Sequence, residues 1–381
     1  MAIYTKEEAR QILEKALSFS TADACEINIS GSESGNIRYA RNTVSTSGHR
    51  SNQQLVAQCN YGQKVGTATI DEFDDASLKK VVERAQELAK LSPENPEFMG
   101  PLGPQVYDEG IQYSEATANI TPEFRTKVAE SSINPAAAKD VTSAGFFNDG
   151  LAFDAMINSK GLFAYNKSTS SDFTVTMRTN DGTGSGWVTR DFNDVSKFDA
   201  VEASNTAIDK AILSKEAKAI EPGKYTVILE PAASIGLLNN MFRSLNARRA
   251  DEGRSFMSKE GGGTKMGEKI VDERVNVYSD PLHPDVPTAT WNGAGQPLKK
   301  TVWLENGKVK NLSYGRFWAK EKGVDPVPFP SNAIMEGGDA SLEDLIKSTK
   351  KGILVTRLWY IRSVDPQTLL YTGLTRDGTF Y

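Results

Sequence analysis

Histidine and cysteine are almost missing. His49 and His283 are the two histidines in 381 residues, and Cys25 and Cys59 the two cysteines. A three-ligand catalytic zinc site draws on His, Cys or carboxylate groups converging from nearby positions, and no pair here has the spacing to begin one. A Ser-His-acid triad would have to use one of the same two histidines, and the chain has no Gly-x-Ser-x-Gly elbow. His283 lies in a proline-bounded loop, Asp280 to Pro287, and reads as a solvated side chain. Two cysteines make no disulfide framework. Strand alternation sets Cys25 with Ile27 and Ile29, and Cys59 with Leu55 and Ala57, so both are expected to be buried, inert thiols. Long apolar runs are also missing: nothing approaches the roughly 20 residues of a membrane helix, and the opening Met-Ala-Ile-Tyr-Thr-Lys-Glu-Glu has no basic start followed by an apolar run. No membrane is expected, and the default address is cytoplasmic. Finally, neither sign of charge dominates. With 44 basic against 49 acidic residues the net charge is −5, which gives no global field for a polyanion, so nucleic acid is not an expected partner.

What is there belongs to an ordinary soluble globular protein, long enough for two or three domains. Thr5-Lys-Glu-Glu8 is a capping box, and Ala9, Ile12, Leu13, Ala16 and Leu17 form the apolar stripe of a first helix. Strand patterns follow at 24–30, 35–40 and 55–61, the last turning through Tyr61-Gly-Gln63 into 64–70. A second helix is expected at 75–90. Prolines at 93, 96, 101 and 104 make 92–120 a linker or surface strap. Thr121-Pro122 starts a helix reaching about Ser132. Strands are expected at 141–148, 151–157, 162–166 and 172–178, and a helix at 197–213. Asp181-Gly-Thr-Gly-Ser-Gly186 is glycine-rich, but the strand-like Trp187-Val-Thr-Arg190 follows where a phosphate loop needs a helix, so it reads as a turn or bulge. The fold class is α+β: an N-terminal antiparallel sheet with packed helices, then a β-rich, barrel-like C-terminal domain. The expected divisions are an α+β domain at 1–91, the strap at 92–120, a central region at 121–220 completing the first domain, and the C-terminal domain at 221–381.

In that last domain Tyr225 to Leu229 reads as a strand stopped by Pro231, and 232–245 as a helix with Ile235, Leu238, Met241, Phe242 and Leu245 on one face. Arg274 to Tyr278 is strand-like, Asp325 to Pro330 is proline-rich, and 342–348 is a short helix. Asn306-Gly307 between 299–304 and 308–312 marks a hairpin. Ile353 to Ile361 and Leu369 to Thr375 are strands, and the turn Arg376-Asp-Gly378 with a stub behind it leads one to expect more chain beyond Tyr381. Chemistry is sparse. Asp251, Glu252, Glu260, Asp272, Glu273 and Asp280 fall within thirty residues and offer an acid/base pair or a Mg²⁺ site, with solvated loop charge as the plainer alternative. Arg243, Arg248, Arg249 and Arg254 can fork onto a carboxylate or peptide terminus, or simply offset a helix dipole.

The order of these segments resembles the TldD/PmbA family, named as modulators of DNA gyrase and classed as metallopeptidases. Similar stretches are Asn60-Tyr-Gly-Gln-Lys-Val-Gly-Thr-Ala68, Ser92-Pro-Glu-Asn-Pro96, Asn158-Ser-Lys-Gly-Leu162, Asp280-Pro281, Gly295-Gln-Pro297 and Leu304-Glu-Asn-Gly307. Catalytic members carry His-Glu-x-x-x-His on the helix after the strand matching Tyr225 to Leu229, and a later cysteine ligand. Here those positions become Asn239, Asn240 and Ser244, and no cysteine follows Cys59. Amide and hydroxyl are poor substitutes for imidazole on zinc, and asparagine cannot act as the general base that glutamate supplies. The resemblance therefore implies a PmbA/TldE-like chain with no cofactor of its own, non-catalytic alone. Its implied partners are a zinc-bearing TldD-like subunit, or further copies of itself, and an unfolded peptide, with Arg243, Arg249 and Arg254 as candidate peptide-binding residues. Two rivals remain: a standalone hydrolase using the 251–280 carboxylates, and a purely binding or structural homo-oligomer.

Overall fold

The computed structural model describes residues 3–329 and 331–381; Met1 and Ala2 of the opening segment, and Pro330 at the end of the proline-rich stretch, lie outside the described residues. The N-terminal half contains α1 (Lys6–Leu17), β1 (Ala24–Ala40), β2 (Thr43–Tyr61), β3 (Lys64–Ile70), α2 (Asp75–Leu91), α3 (Glu115–Ala118), α4 (Pro122–Ala138), β4 (Val141–Asn158), β5 (Phe163–Thr179), β6 (Ser185–Phe192) and α5 (Ala200–Leu213). The capping box closes α1: the Glu8 amide donates to Thr5 Oγ1 at 3.2 Å and the Thr5 amide to Glu8 Oε2 at 2.8 Å. The strands form one six-stranded sheet in the order β3-β2-β1-β4-β5-β6, with antiparallel neighbours throughout. Two meanders thus meet at β1 and β4.

Several expected strand breaks are absent. The segments 24–30 and 35–40 are one strand, as are 141–148 with 151–157 and 162–166 with 172–178. In the first two, Gly35 and Gly150 are not turn residues but points of close approach. A Cβ on Gly35 would lie 1.9 Å from the Arg125 guanidinium, and one on Gly150 would lie 3.0 Å from Ser170 Oγ. The helix at 122 continues past Ser132 through Pro135, with Ala136 fully buried.

All four long helices cover the same sheet face. Odd-numbered β1 residues point toward it: Ile27 and Ile29 pack with Leu13, Leu78, Val82 and Phe153 under α1 and α2. Ile37 and Tyr39 pack with Val128, Phe147, Phe173 and Ile208 under α4 and α5. Each large apolar side chain buried there contributes roughly 1.5–3 kcal/mol. The α5–β6 contact is close because Gly186 has no side chain; a Cβ there would sit 2.1 Å from the Ala207 carbonyl oxygen. Cys25 and Cys59 are direct cross-strand neighbours in this core, both buried and both free thiols, as alternation predicted.

The opposite face is rich in Ser, Asn, Gln and Gly along Asn28, Ser30, Ser32 and their neighbours. At one end it is covered by the strap and a C-terminal loop: Leu102, Tyr107 and Trp291 pack on Met156, Leu162 and Ala164. Tyr107 donates to the Gly295 carbonyl at 2.7 Å, and Arg316 to that of Gly100 at 2.7 Å.

The C-terminal half contains β7 (Thr226–Leu229), α6 (Pro231–Phe242), α7 (Ala247–Asp251), β8 (Val277–Ser279), β9 (Thr301–Glu305), β10 (Lys308–Val309), α8 (Arg316–Lys322), β11 (Ile334–Met335), α9 (Leu342–Ser348), β12 (Gly352–Val355), β13 (Leu358–Asp365), β14 (Leu370–Thr375) and β15 (Thr379–Phe380). It is β-rich, but its strands are divided among three small sheets, β10-β9-β8-β11, β15-β12-β7 and β13-β14, and none closes on itself among the described residues. The expected strand at 274–278 is shortened to Val277–Ser279, and 353–361 breaks in two. The break has a local cause. Thr356 is buried and donates its hydroxyl to the Gly378 carbonyl at 2.8 Å, and the chain leaves one sheet for another there. Trp303 centres the core of this half, with Phe242, Leu245, Leu304 and Leu312 around it and its Nε1 donating to Ser279 Oγ at 2.8 Å.

Candidate functional site

Short β7 sets up the helix that carries the substituted motif. It pairs in parallel with β12, Ile228 opposite Leu354, and the Glu230 amide donates to the Val355 carbonyl at 3.0 Å. Pro231 takes the first helical position, where its missing N–H costs nothing. Leu238 and Phe242 turn into the Trp303 core. That orientation decides where the motif positions go. Asn239 stays on the exposed side of α6, whereas Asn240 and Ser244 line a cleft of about 230 Å³ between α6, α7 and the β13–β14 hairpin.

The same cleft holds all three candidate arginines, Arg243, Arg249 and Arg254, with Ser255, Ile361, Ser363, Pro366 and Tyr371. Its frame is hydrogen-bonded. Asn240 Nδ2 donates to the Gly236 carbonyl at 3.0 Å, and Ser255 Oγ to that of Ser244 at 2.7 Å. Asn246 caps α7 by accepting the Arg249 amide at 2.9 Å, while Gln367 of the hairpin turn donates to the Gly253 carbonyl at 2.7 Å. Arg254 pairs with Glu252, which Arg248 shares. Arg243 and Arg249 have no carboxylate partner among the described residues. Arg248 lies outside the cleft, forked onto Glu97 of the strap at 2.8 and 2.9 Å. The hairpin residues were not foreseen. They follow the helix by more than a hundred positions, and only their strand alternation was visible in advance.

This donor set does not suit zinc. One motif position faces away, another already uses its amide on the backbone, and guanidinium groups surround the rest. A cation would be repelled there and an anion attracted.

The 251–280 carboxylates are not brought together. Asp251 accepts the Trp318 indole N–H at 2.8 Å and pairs with Lys322. Arg254 and then Arg248 hold the Glu252 carboxyl below its ordinary range, and Arg274 does the same for Asp272. Glu273 pairs with Lys269, Asp280 caps the Leu282 amide, and Glu260 is exposed. Among the described residues no three His, Cys, Asp or Glu side chains are grouped to hold a metal ion. His49 is exposed on β2; His283 is half-buried and accepts the Asp285 amide through Nδ1 at 3.2 Å. The 181–186 loop is a turn into β6, its Asp181 side chain accepting the Thr183 amide at 3.0 Å.

A second feature lies on the six-stranded sheet. Strand β3 covers β2 only from Leu55 to Tyr61. From Thr43 to Asn52 the outer edge of β2 pairs with no strand among the described residues. Where β3 stops, a groove of about 670 Å³ opens, lined by Ser30, Ser32, Asn52, Gln54, Thr69 and Asp154 among others.

The architecture is shared with solved structures. The chain superposes on TldE from Thermococcus kodakarensis with a TM-score of 0.81 at 20% identity, over 97% of this chain and 89% of that one. A protein from Bacteroides thetaiotaomicron described as a modulator of DNA gyrase gives 0.83 at 19% identity, over 98% and 90%. A similarly described protein from Thermotoga maritima gives 0.82 at 17%, over 92% and 82%. Those likenesses define a fold. The family is defined by sequence: residues 25–89, 115–215 and 222–381 match domain 1, the central domain and the C-terminal domain of the PmbA/TldA metallopeptidases. The chain belongs to this PmbA/TldD family. It is similar to a metalloprotease from Methanothermobacter thermautotrophicus, 22% identical over 277 residues and 67% of this chain, and to one from Methanocaldococcus jannaschii, 28% identical over 170 residues and 41%. These matches span 60% and 36% of the relatives' own lengths. No helix among the described residues is long and apolar enough to cross a membrane.

Proposed function

We propose that this chain is the non-metal-binding subunit of a PmbA/TldD-type metallopeptidase complex, holding an extended peptide for hydrolysis by a zinc-bearing partner. The observation that carries this reading is the chemistry at the motif positions: Asn240 and Ser244 sit in an arginine-lined cleft, and Asn239 faces out of it. The groove beside the open edge of β2 suits an extended peptide, whose backbone can continue the line of β3 by adding as a strand. The polar, small side chains there favour binding through the peptide backbone over selection by sequence. Association with a partner is supported by the apolar side chains left exposed in the C-terminal half, Val227, Ile235, Leu237, Trp359 and Leu374.

The test is the native mass and metal content of the protein purified gently from its own host. The expected result is a complex with a second subunit carrying His-Glu-x-x-x-His, with about one zinc on that subunit, and peptide hydrolysis only by the complex. Stoichiometric zinc on this chain alone, with hydrolysis by it alone, would overturn the proposal. A metal-free homo-oligomer that turns over no peptide would leave only a binding role.

A further inference from the structure

The arginine cleft has a chemistry of its own. Arg243 and Arg249 converge on it with no carboxylate partner among the described residues, and Arg254 adds a third guanidinium that shares Glu252 with Arg248. Three arginines lining 230 Å³ of space, two of them without a carboxylate partner among the described residues, on a chain whose net charge is −5, are a local exception to its overall balance. Like charges brought together repel, and an anion between them removes that repulsion. The planar fork of guanidinium matches the two oxygens of a carboxylate, which a lysine would meet as a point charge.

The rest of the lining narrows the choice. Ile361, Pro366 and Tyr371 put an apolar wall beside the arginines, and Ser363 adds a hydroxyl. A free inorganic anion has no use for that wall. A carboxylate attached to an aliphatic or aromatic residue does. The cleft is also smaller than the pockets that enclose drug-sized ligands, about 300 Å³ and upward, so it suits the end of a chain better than a segment passing through.

We infer that the cleft between α6, α7 and the β13–β14 hairpin is an oxyanion site that receives the free C-terminal carboxylate of a peptide, where catalytic relatives carry their metal motif. The inference deepens the peptide-holding role proposed above and rests on it.

The experiment compares two N-terminally fluorescent, unstructured peptides of one sequence ending in leucine, one a free acid and the other a C-terminal amide. Their binding to the full chain is followed by fluorescence polarisation at fixed ionic strength. The acid is expected to bind roughly tenfold more tightly, the scale of one charge-assisted forked contact. Arg243→Gln with Arg249→Gln should remove that preference, the acid then binding no more tightly than the amide. Both side chains are exposed, so circular dichroism should match the parent. Arg249→Lys should keep part of the preference, because charge remains and the fork is lost. Equal affinity for acid and amide overturns the inference but leaves the peptide-holding role intact, as does an acid preference that survives the double substitution. Inorganic phosphate displacing the acid peptide at low concentration, with no acid preference, makes the ligand a free anion and overturns the terminus assignment. Failure to bind either peptide overturns both readings.

Discussion

In the six-stranded sheet, β1, β4 and β5 run for 17 or 18 residues with alternate side chains buried, and Ile27, Phe147, Phe153 and Leu55 are almost or wholly inaccessible. In the C-terminal half, β7, β13 and β14 are four to eight residues long and largely uncovered, with Val227 50% and Leu374 59% exposed. Both halves use β-branched and aromatic residues. What differs is the cover: four helices on one face of the first sheet, against α6 and loops around the later ones. The first half has a deep, helix-covered core, and the second holds the cleft on short, lightly packed elements framed by individual hydrogen bonds. Chemistry placed on such elements is easier to alter without losing the fold.

The largest effect that would sharpen this contrast is expected at Arg125. Its guanidinium donates from Nε to Asp149 Oδ1 at 2.6 Å and from Nη2 to Oδ2 at 2.8 Å, with both side chains nearly buried against Gly35. Arg125→Met leaves Asp149 charged and alone, at a cost of about 3–5 kcal/mol. The double variant Arg125→Met/Asp149→Leu should recover most of it, because the pair's own desolvation also disappears. Urea unfolding of the three proteins checks this. A cost below 1 kcal/mol for the single change would mean that this half is less tightly determined than its packing implies.

Glycines give a matched pair of tests. A Cβ on Gly66 would lie 2.1 Å from the Ala89 amide nitrogen and 2.2 Å from the Ala85 carbonyl oxygen, both backbone atoms of α2. Gly66→Ala must push the helix off β3, and about 1–3 kcal/mol of destabilisation is expected. Gly236 in α6 meets nothing within 4 Å, so Gly236→Ala should stabilise by about 0.5–1 kcal/mol through helix propensity. Thermal unfolding should therefore shift in opposite directions. Shifts of the same sign would break the comparison.

The same contrast explains how much was legible from residues alone. Periodicity over long segments located α1 and α2 closely, the short β3 and α9 also lie where expected, and the alternation around Cys25 and Cys59 placed both thiols in the core. It broke β1, β4 and β5 where the structure continues them; at Gly35 and Gly150 the reason is that a glycine needed for close packing and one needed for a turn are the same letter. Arg125 was not singled out, since nothing local on α4 announces a partner on the strand beneath it. In the C-terminal half the substituted motif was visible only through the family resemblance, and the candidate arginines Arg243, Arg249 and Arg254 line one cleft. The opposite wall was not visible. Ile361, Ser363 and Tyr371 reach the cleft through a change of sheet at Thr356, a corner held by the Thr356 hydroxyl on the Gly378 carbonyl and by Arg357 on Asp377.

The smallest expected effect lies on the open face of the first sheet, where Asp172 and Asp191 are cross-strand neighbours. Burial, and then the adjacent Asp172 carboxyl, push Asp191 up to about 6 from an ordinary 3.8. A carboxyl whose pKa is higher in the folded chain holds its proton better there than in the unfolded chain. Folding therefore takes up protons between pH 3.8 and 6, and stability falls as the pH rises across that window. Below it both states are protonated and nothing is lost. Above it the repulsion is present in full. Because Asp191 is solvent-exposed, screening limits the loss to about 0.2–1 kcal/mol. Asp172→Asn removes the neighbouring charge, so the variant should gain on the parent as the pH rises from about 4 to about 6 and keep a constant lead above that. Urea midpoints at four or five pH values measure the lead. A constant lead at every pH would assign the difference to packing, and a lead that grows toward low pH would contradict the raised pKa.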